Sequence, residues 1–417
     1  MPKVSASSGV AGEHGPPGDV PSYVPVLPPG EPHLPPRVQG ALCLAENAAG
    51  ELNQALRRVP DPEAFVASLR LREALRSARL TDLTAMPTEV WVVALRLPTL
   101  DDAGDAGDPA AVGGSPALRH PVGRFVHGSA LLDREVARGA HNGVELLGAV
   151  SAVLTGRPAS PAARGLRQAE GFLTAGDRRT PYVRTAPPGE PLARAVRAWD
   201  RWVAQPYEGP RLAKIATAHL LLELLQPYPW ANGHLARQFT RGEVVRRGVV
   251  DRPVLSLSPW LDDHADEYRS RIRAVVAGGP PWEWVEFFAL AVREQALRNV
   301  ALIDRLADVR AELVDRAWAS RPARRVLAAL PTSPVTDVPT LAAQHGLPPR
   351  GAAAILRRLE AEGVLRKPPG HPVKVFVCDA ALDALVFDDL PPPTDRQVLE
   401  PAPGAGADEN HTREEQK

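Results

Sequence analysis

The residues best placed to do chemistry lie between two apolar stretches of helical character: Gln226-Pro227-Tyr228-Pro229-Trp230-Ala231-Asn232-Gly233-His234-Leu235-Ala236-Arg237. Asn232-Gly233 predicts a tight turn into a helix that starts near Leu235. Such a turn aims several backbone N–H groups at one point, which also receives the positive end of the helix dipole. The product is a cradle for an anion, and Arg237 on the first turn adds a charged fork for phosphate or carboxylate. Taken alone, an Asn-Gly turn before a helix carries little information, because most such turns bind nothing.

The spacing adds more. The segment resembles the signature of Fic-domain proteins, His-Pro-Phe-x-(Asp/Glu)-Gly-Asn-Gly-Arg-x-x-Arg, with Pro227, Tyr228, Asn232, Gly233 and Arg237 on matching positions. Upstream, Ala218-His219 through Glu223 and Leu225 is similar to the helix that leads into that signature. Downstream, Pro253 to Leu261 and Asp266-Glu267-Tyr268 are similar to the segment that comes after it. Thr180 to Gly189 stands where the family has its target-aligning flap, with Tyr182, Val183 and Arg184 as the flap residues. Leu71 to Leu75 resembles the helix that carries an inhibitory motif, here Ser77 with Thr81 where a glutamate is expected. The resemblance spans roughly residues 38 to 385.

It implies transfer of AMP, or another phosphate-bearing group, from a nucleotide such as ATP to a protein hydroxyl. Asn232, Gly233, His234 and Arg237 fall on its nucleotide-binding positions. The departures concern the chemistry itself. Gln226 stands where a histidine takes the proton of the attacking hydroxyl; an amide can orient that hydroxyl but cannot accept its proton. Loss of a general base costs about 10²- to 10⁴-fold in rate. Trp230 stands where an acidic residue holds Mg²⁺ and offers no oxygen to a hard cation, so magnesium is not expected to be held in the usual way. His234 replaces an arginine and lacks its planar fork. Thr81 cannot pair ionically with Arg237, and a weakened brake suits a weakened activity. His219, two helical turns before Gln226, is a conceivable relocated base; the plainer reading is a hydrogen-bonded core histidine.

The elements that must position these residues are helical. Periodicity predicts helices over 38–59, 61–79, 83–97, 144–154, 191–204, 212–225, 235–247, 260–276 and 282–307. A surface loop is expected over 101–116. From Pro322 the pattern changes to three short helices, including 341–345 and 350–362, then strands over 364–367 and 373–377. That order is a winged-helix pattern. Arg350, Arg357, Lys367 and Lys374 would face DNA there, or a protein partner.

The chain has 417 residues with 49 basic and 49 acidic side chains, so no global field attracts nucleic acid. Two cysteines far apart exclude a cysteine-built zinc site and a disulfide framework. No stretch has signal-peptide or membrane-span character, which favours a cytoplasmic protein without membrane contact.

The expected fold class is mainly α: a Fic-type helical domain with a small β-hairpin flap, plus a C-terminal winged-helix domain. The expected units are a disordered proline-rich leader (1–37), an N-terminal helical region (38–120), a Fic-like core (121–318), the winged helix (319–388) and a disordered tail (389–417). The expected function is a divergent Fic-fold protein, impaired or inactive as an AMP transferase, that keeps a nucleotide- or phosphate-binding loop and acts as a binding or regulatory module. The alternatives are an active transferase with altered chemistry and a winged-helix DNA-binding regulator. A protein target would meet the flap. The oligomeric state is left open.

Overall fold

The computed structural model describes residues 12–14, 20–28, 33–80, 85–97, 116–156, 165–174, 180–316, 320–368 and 374–387. Thr81, the tail from 389, nearly all of the 101–116 loop and most of the turn between the last two expected strands lie outside the described residues. Among the described residues the fold is mainly α, about 67% helical, with short strands.

Helices α1 (Pro36–Leu56), α2 (Pro62–Arg79) and α3 (Pro87–Ala94) open the fold. Asp61 starts α2 as the cap, accepting from the Ala64 N–H at 3.0 Å, with Pro62 at the first helical position. After α4 (Pro116–Arg119) come α5 (Pro121–Ala137) and α6 (Val144–Thr155). Helix α5 is absent from the sequence expectation because Gly123 and Gly128 break its pattern. The structure gives Gly123 a packing role. A Cβ on Gly123 would meet the Ala117 carbonyl at 2.0 Å, whereas one on Gly128 would make only ordinary contact with Val150 and Val153 of α6, at 3.5 and 3.6 Å.

A hairpin of β3 (Phe172–Thr174) and β4 (Pro181–Arg184) precedes α7 (Glu190–Ala204), α8 (Arg211–Leu225) and α9 (Asn232–Arg246). Amphipathic α7 buries Leu192, Val196, Trp199 and Val203 on one face. Helix α8 is buried from Leu212 through Leu225 and so forms the centre of the core. The single helix expected over 260–276 is instead two, α10 (Ser258–Asp263) and α11 (Ala265–Val276), interrupted at His264. The 34-residue α12 (Pro281–Val314) runs the length of the body and packs along α1.

The leader needs correction. Residues 12–14 and 23–25 pair as β1 (Gly12–His14) and β2 (Tyr23–Pro25), and Tyr23 and Leu34 are buried in the main core. Ser22 bridges Arg184, whose N–H donates to the Pro21 carbonyl at 2.8 Å.

The C-terminal unit runs α13 (Arg321–Ala329), β5 (Val335–Thr336), α14 (Val338–His345), α15 (Pro349–Ala361) and β6 (Phe376–Val377). It has its own apolar cluster around Val326, Leu327, Leu341, Leu356 and Leu359. The strands differ from expectation. Phe376–Val377 pairs with Val335–Thr336, a strand the periodicity did not reveal, and Arg366 contributes only a bridge to Val377. Helix α16 (Asp379–Val386) leaves the unit and packs on α12, α2 and α3. Ser68 of α2 bonds the Thr332 carbonyl, and Arg96 pairs with Asp337. The unit is therefore docked on the helical body. No helix among the described residues is long and apolar enough to cross a membrane.

Candidate functional site

The loop between α8 and α9 is built by side chains that fold it back on itself. Helix α8 ends as Gln226 enters the left-handed region at φ 46. Arg167, 4% exposed, clamps the start of the loop: its N–H donates to the Pro227 carbonyl at 2.9 Å and its Nε to the Gln226 carbonyl at 2.8 Å. The same guanidinium donates to the Ala169 carbonyl and the Thr185 hydroxyl, both at 2.8 Å, tying the loop to the flap end. A Cβ on Gly171 would lie 2.6–2.7 Å from Thr185 and Arg167, so that clamp requires glycine there. Tyr228 is buried and donates to the Val144 carbonyl at 3.0 Å.

Asn232 closes the loop with both ends of its amide. Its Oδ1 accepts from the Tyr228 N–H at 2.8 Å, and its Nδ2 donates to the Tyr228 carbonyl at 2.7 Å. The expected turn at 232–233 therefore sits one step earlier. Ala231 holds the left-handed conformation, φ 61, and α9 begins at Asn232, three residues before Leu235. Glycine adopts that φ without strain, whereas in alanine it costs about 1–2 kcal/mol. The first N–H groups of α9 have no acceptor within the helix, which leaves the positive pole at Asn232-Gly233.

Around that pole the polar side chains converge. Arg237 donates from Nη2 to Ser77 Oγ at 2.7 Å and from Nε to the same atom at 3.2 Å. Its Nη2 also reaches His234 Nδ1 at 3.2 Å, and Ser77 Oγ lies 2.5 Å from that nitrogen. An arginine can only donate, so His234 Nδ1 accepts and its imidazole is the neutral Nε2–H form in this arrangement. All three are buried: Ser77 0%, Arg237 4% and His234 9% exposed. The structure thus brings Ser77, from the helix expected to carry the inhibitory motif, onto the arginine of the loop. Beside the loop a cleft of about 330 Å³ is lined by Ala74, Ala78, Arg124, Phe125, Trp230 and His234.

One carboxyl in the cluster was not singled out from the sequence. Glu223 accepts from Tyr268 Oη at 2.7 Å and from Gln226 Nε2 at 3.3 Å. Tyr268 Oη also lies 2.8 Å from His219 Nε2, and His219 Nδ1 lies 2.8 Å from Thr240 Oγ1. Burial pushes the Glu223 carboxyl up, opposed by the Tyr268 hydroxyl, Arg237 and Gln226. Burial, with Arg237 adding, pushes His219 down to about 3. A signal was present, a glutamate three residues before Gln226, but its partner Tyr268 lies 45 residues away.

Chemically, the position of the missing histidine holds an amide whose Nε2 is turned back to the Glu223 carbonyl at 2.8 Å. Trp230, 52% exposed, offers no oxygen. No group of three or more His, Cys, Asp and Glu side chains that could hold a metal ion occurs among the described residues. The Glu223 carboxyl beside the loop is engaged by Tyr268 and Gln226. His219 is 0% exposed with both nitrogens engaged, which makes it a core histidine.

The flap residues stand close by. Tyr182 feels the Glu223 and Arg273 charges, and burial pushes its hydroxyl up to about 12. Val183 is buried, and Arg184 is exposed over the Phe172 ring. In the C-terminal unit Arg350, Arg357, Lys367 and Lys374 are exposed, far along the chain from the loop. Lys367 pairs with Glu360 at 2.7 Å, Arg358 with Glu362 at 2.7 Å and Arg366 with Asp379 at 2.6 Å.

No family model matches the chain. Among solved structures it is similar to a Fic family protein from Desulfovibrio desulfuricans G20, crystallised at 2.70 Å resolution, with 14% identity and a TM-score of 0.49 over 83% of this chain and 97% of that one. It is also similar to Fic-1 (residues 134–508) from C. elegans, with 14% identity and a TM-score of 0.34 over 64% of this chain and 83% of that one.

Proposed function

We propose that the chain is a Fic-type protein that has lost the transfer reaction and works by binding, holding a phosphate-bearing ligand at the start of α9. One observation carries this reading: a helix N-terminus, with an arginine one turn further along, is set by the loop that Asn232 closes, while the neighbouring base position is an amide tied to Glu223. The motif spacing through Pro227, Tyr228, Asn232, Gly233 and Arg237 supports the family assignment. A phosphate would sit on the Asn232 and Gly233 amides, with Arg237 exchanging its Ser77 contact for the ligand. The adjoining cleft beside Phe125 and Trp230 would take an apolar portion such as a nucleobase. We read the α–β–α–α–β unit at the C-terminus as a winged helix that meets protein, because three of its basic side chains are already paired with acids.

The test is calorimetry with ATP, without metal, on the whole protein. Binding that Arg237→Ala weakens by at least about tenfold is the expected result, alongside no transfer of label from ATP to any protein of a lysate. Labelling of a target by the unaltered chain would overturn the loss of chemistry. The double change Gln226→His with Trp230→Asp tests the alignment from the other side: it should restore labelling, and its complete silence would argue against the family assignment.

A further inference from the structure

Arg237 and Glu223 face each other across a position that has no side chain. A Cβ built on Gly233 would lie 3.2 Å from Arg237 Nη1 and 3.4 Å from Glu223 Oε1, so both groups crowd the same face of the first turn of α9. Apart from Glu223, the partners of Arg237 are neutral: the Ser77 hydroxyl, the accepting nitrogen of His234 and the Tyr268 hydroxyl. Glu223 is therefore the internal anion of a site read above as one for an external anion.

We propose that anion binding at the start of α9 is coupled to protonation of Glu223: a bound phosphate and the Glu223 carboxylate compete for the same positive charge, and the site takes up one proton from solvent with each phosphate. This rests on the reading of that helix end as a phosphate site. Two negative groups this close in a buried site repel strongly, whereas one of them protonated removes the conflict. The surroundings accommodate either state. With Glu223 ionised, Tyr268 donates to it, His219 Nε2–H donates to Tyr268, and Thr240 donates to His219 Nδ1. With Glu223 neutral, its proton goes to the Tyr268 oxygen and Tyr268 donates to His219 Nε2. His219 Nδ1–H then donates to Thr240, which donates to the Ala236 carbonyl at 3.1 Å. Every donor keeps an acceptor both ways, so the change of state leaves no buried group orphaned.

The charged and titratable groups facing Glu223 are few. They are Arg237 from α9, Tyr268 from α11, His219 from its own helix and Tyr182 from β4, with Arg273 behind Tyr182. His219, at about 3, and both tyrosines, pushed up, keep their charge state while Glu223, itself raised by burial, is the carboxyl of the set.

The experiment titrates the full chain with sulfate, which has no proton of its own to exchange in this range, and in parallel with metal-free ATP. Calorimetry is run across pH in buffers of differing ionisation enthalpy. The expected result is proton uptake approaching one per sulfate and affinity falling about tenfold per pH unit above the Glu223 titration. Glu223→Gln should bind with no proton uptake and a flat profile over that range. Glu223→Asp should bring the pH dependence back. Tyr268→Phe, which removes a donor to the carboxylate, should move the falling limb to higher pH. Sulfate binding with a flat profile in the unaltered chain, or the same slope in Glu223→Gln, would overturn the coupling while leaving the phosphate site standing. Absence of binding by both probes, in both proteins and at every pH, would remove the site itself.

Discussion

Helix α9 carries two buried arginines one turn apart, and they are treated differently. Arg241 donates to Asp133 at 2.7 Å, their side chains 1% and 10% exposed, and Arg70 pairs with the same carboxylate at 3.0 Å. Arg237 has no directly bonded acid; it rests on Ser77 and His234 and looks across Gly233 at a carboxyl already bonded to Tyr268. The same residue type on the same helix is thus bonded to an acid in one place and to neutral groups in the other. Arg241 spends its direct contact on an acid it shares with Arg70, and its Nε and Nη1 find no hydrogen-bond partner. Arg237 directs its Nε and Nη2 to neutral groups beside the start of α9, the arrangement on which the proposed anion site rests.

The largest effect should come from breaking the matched pair. Asp133→Ala leaves Arg241 buried without its anion and should destabilise the fold by about 3–5 kcal/mol in urea unfolding. Sulfate affinity should change little; a comparable loss of binding would erase the distinction between the two arginines. Next comes Asn232→Ala, which deletes two hydrogen bonds of the loop. At about 0.5–1.5 kcal/mol each, it should lower stability by roughly 1–3 kcal/mol and, unlike Asp133→Ala, abolish sulfate binding. Ser77→Ala should cost about 1 kcal/mol in the same unfolding assay yet raise sulfate affinity severalfold, because a competing partner of Arg237 is gone. Unchanged or weaker binding would mean that Ser77 helps to hold the ligand.

The Glu223 carboxyl is raised in the folded state, so the stability it contributes is present below the ordinary carboxylate range. That stability is lost as pH rises through the raised value. A stability profile whose decline above the ordinary carboxylate range disappears in Glu223→Gln checks this sign. The smallest change is Ala231→Gly, which relieves the left-handed strain and should stabilise by up to about 1 kcal/mol, offset in part by the greater freedom of unfolded glycine.

Much of the fold was legible because helices advertise themselves. The predicted helix over 61–79 matches α2, that over 144–154 matches α6, and that over 212–225 matches α8 within about a residue at each end. The loop was legible as a place but not as a shape. Asn-Gly reads as a turn in sequence, whereas here Asn232 is spent on tying Tyr228 and the left-handed residue is Ala231, a type that seldom announces that role. Helix α5 was hidden by its glycines, of which Gly123 is there for close packing against the Ala117 carbonyl rather than for flexibility. The chain from Glu223 through Tyr268 to His219 could not be read, since hydrogen bonds across 45 residues leave no periodic trace. The proline-rich leader concealed Tyr23 and Leu34, two residues of the main core, because proline content argues about helices and is silent about extended segments.

Helix α2 touches both ends of the molecule's architecture. Its Ser68 is bonded to the segment after α13, α16 lies against it, and farther along the same helix Ser77 covers Arg237. A rigid rod fastened at one place and resting on a latch at another transmits displacement along its axis. A shift of α2 along its axis at Ser68 therefore also carries Ser77 across Arg237, since both serines ride on one helix.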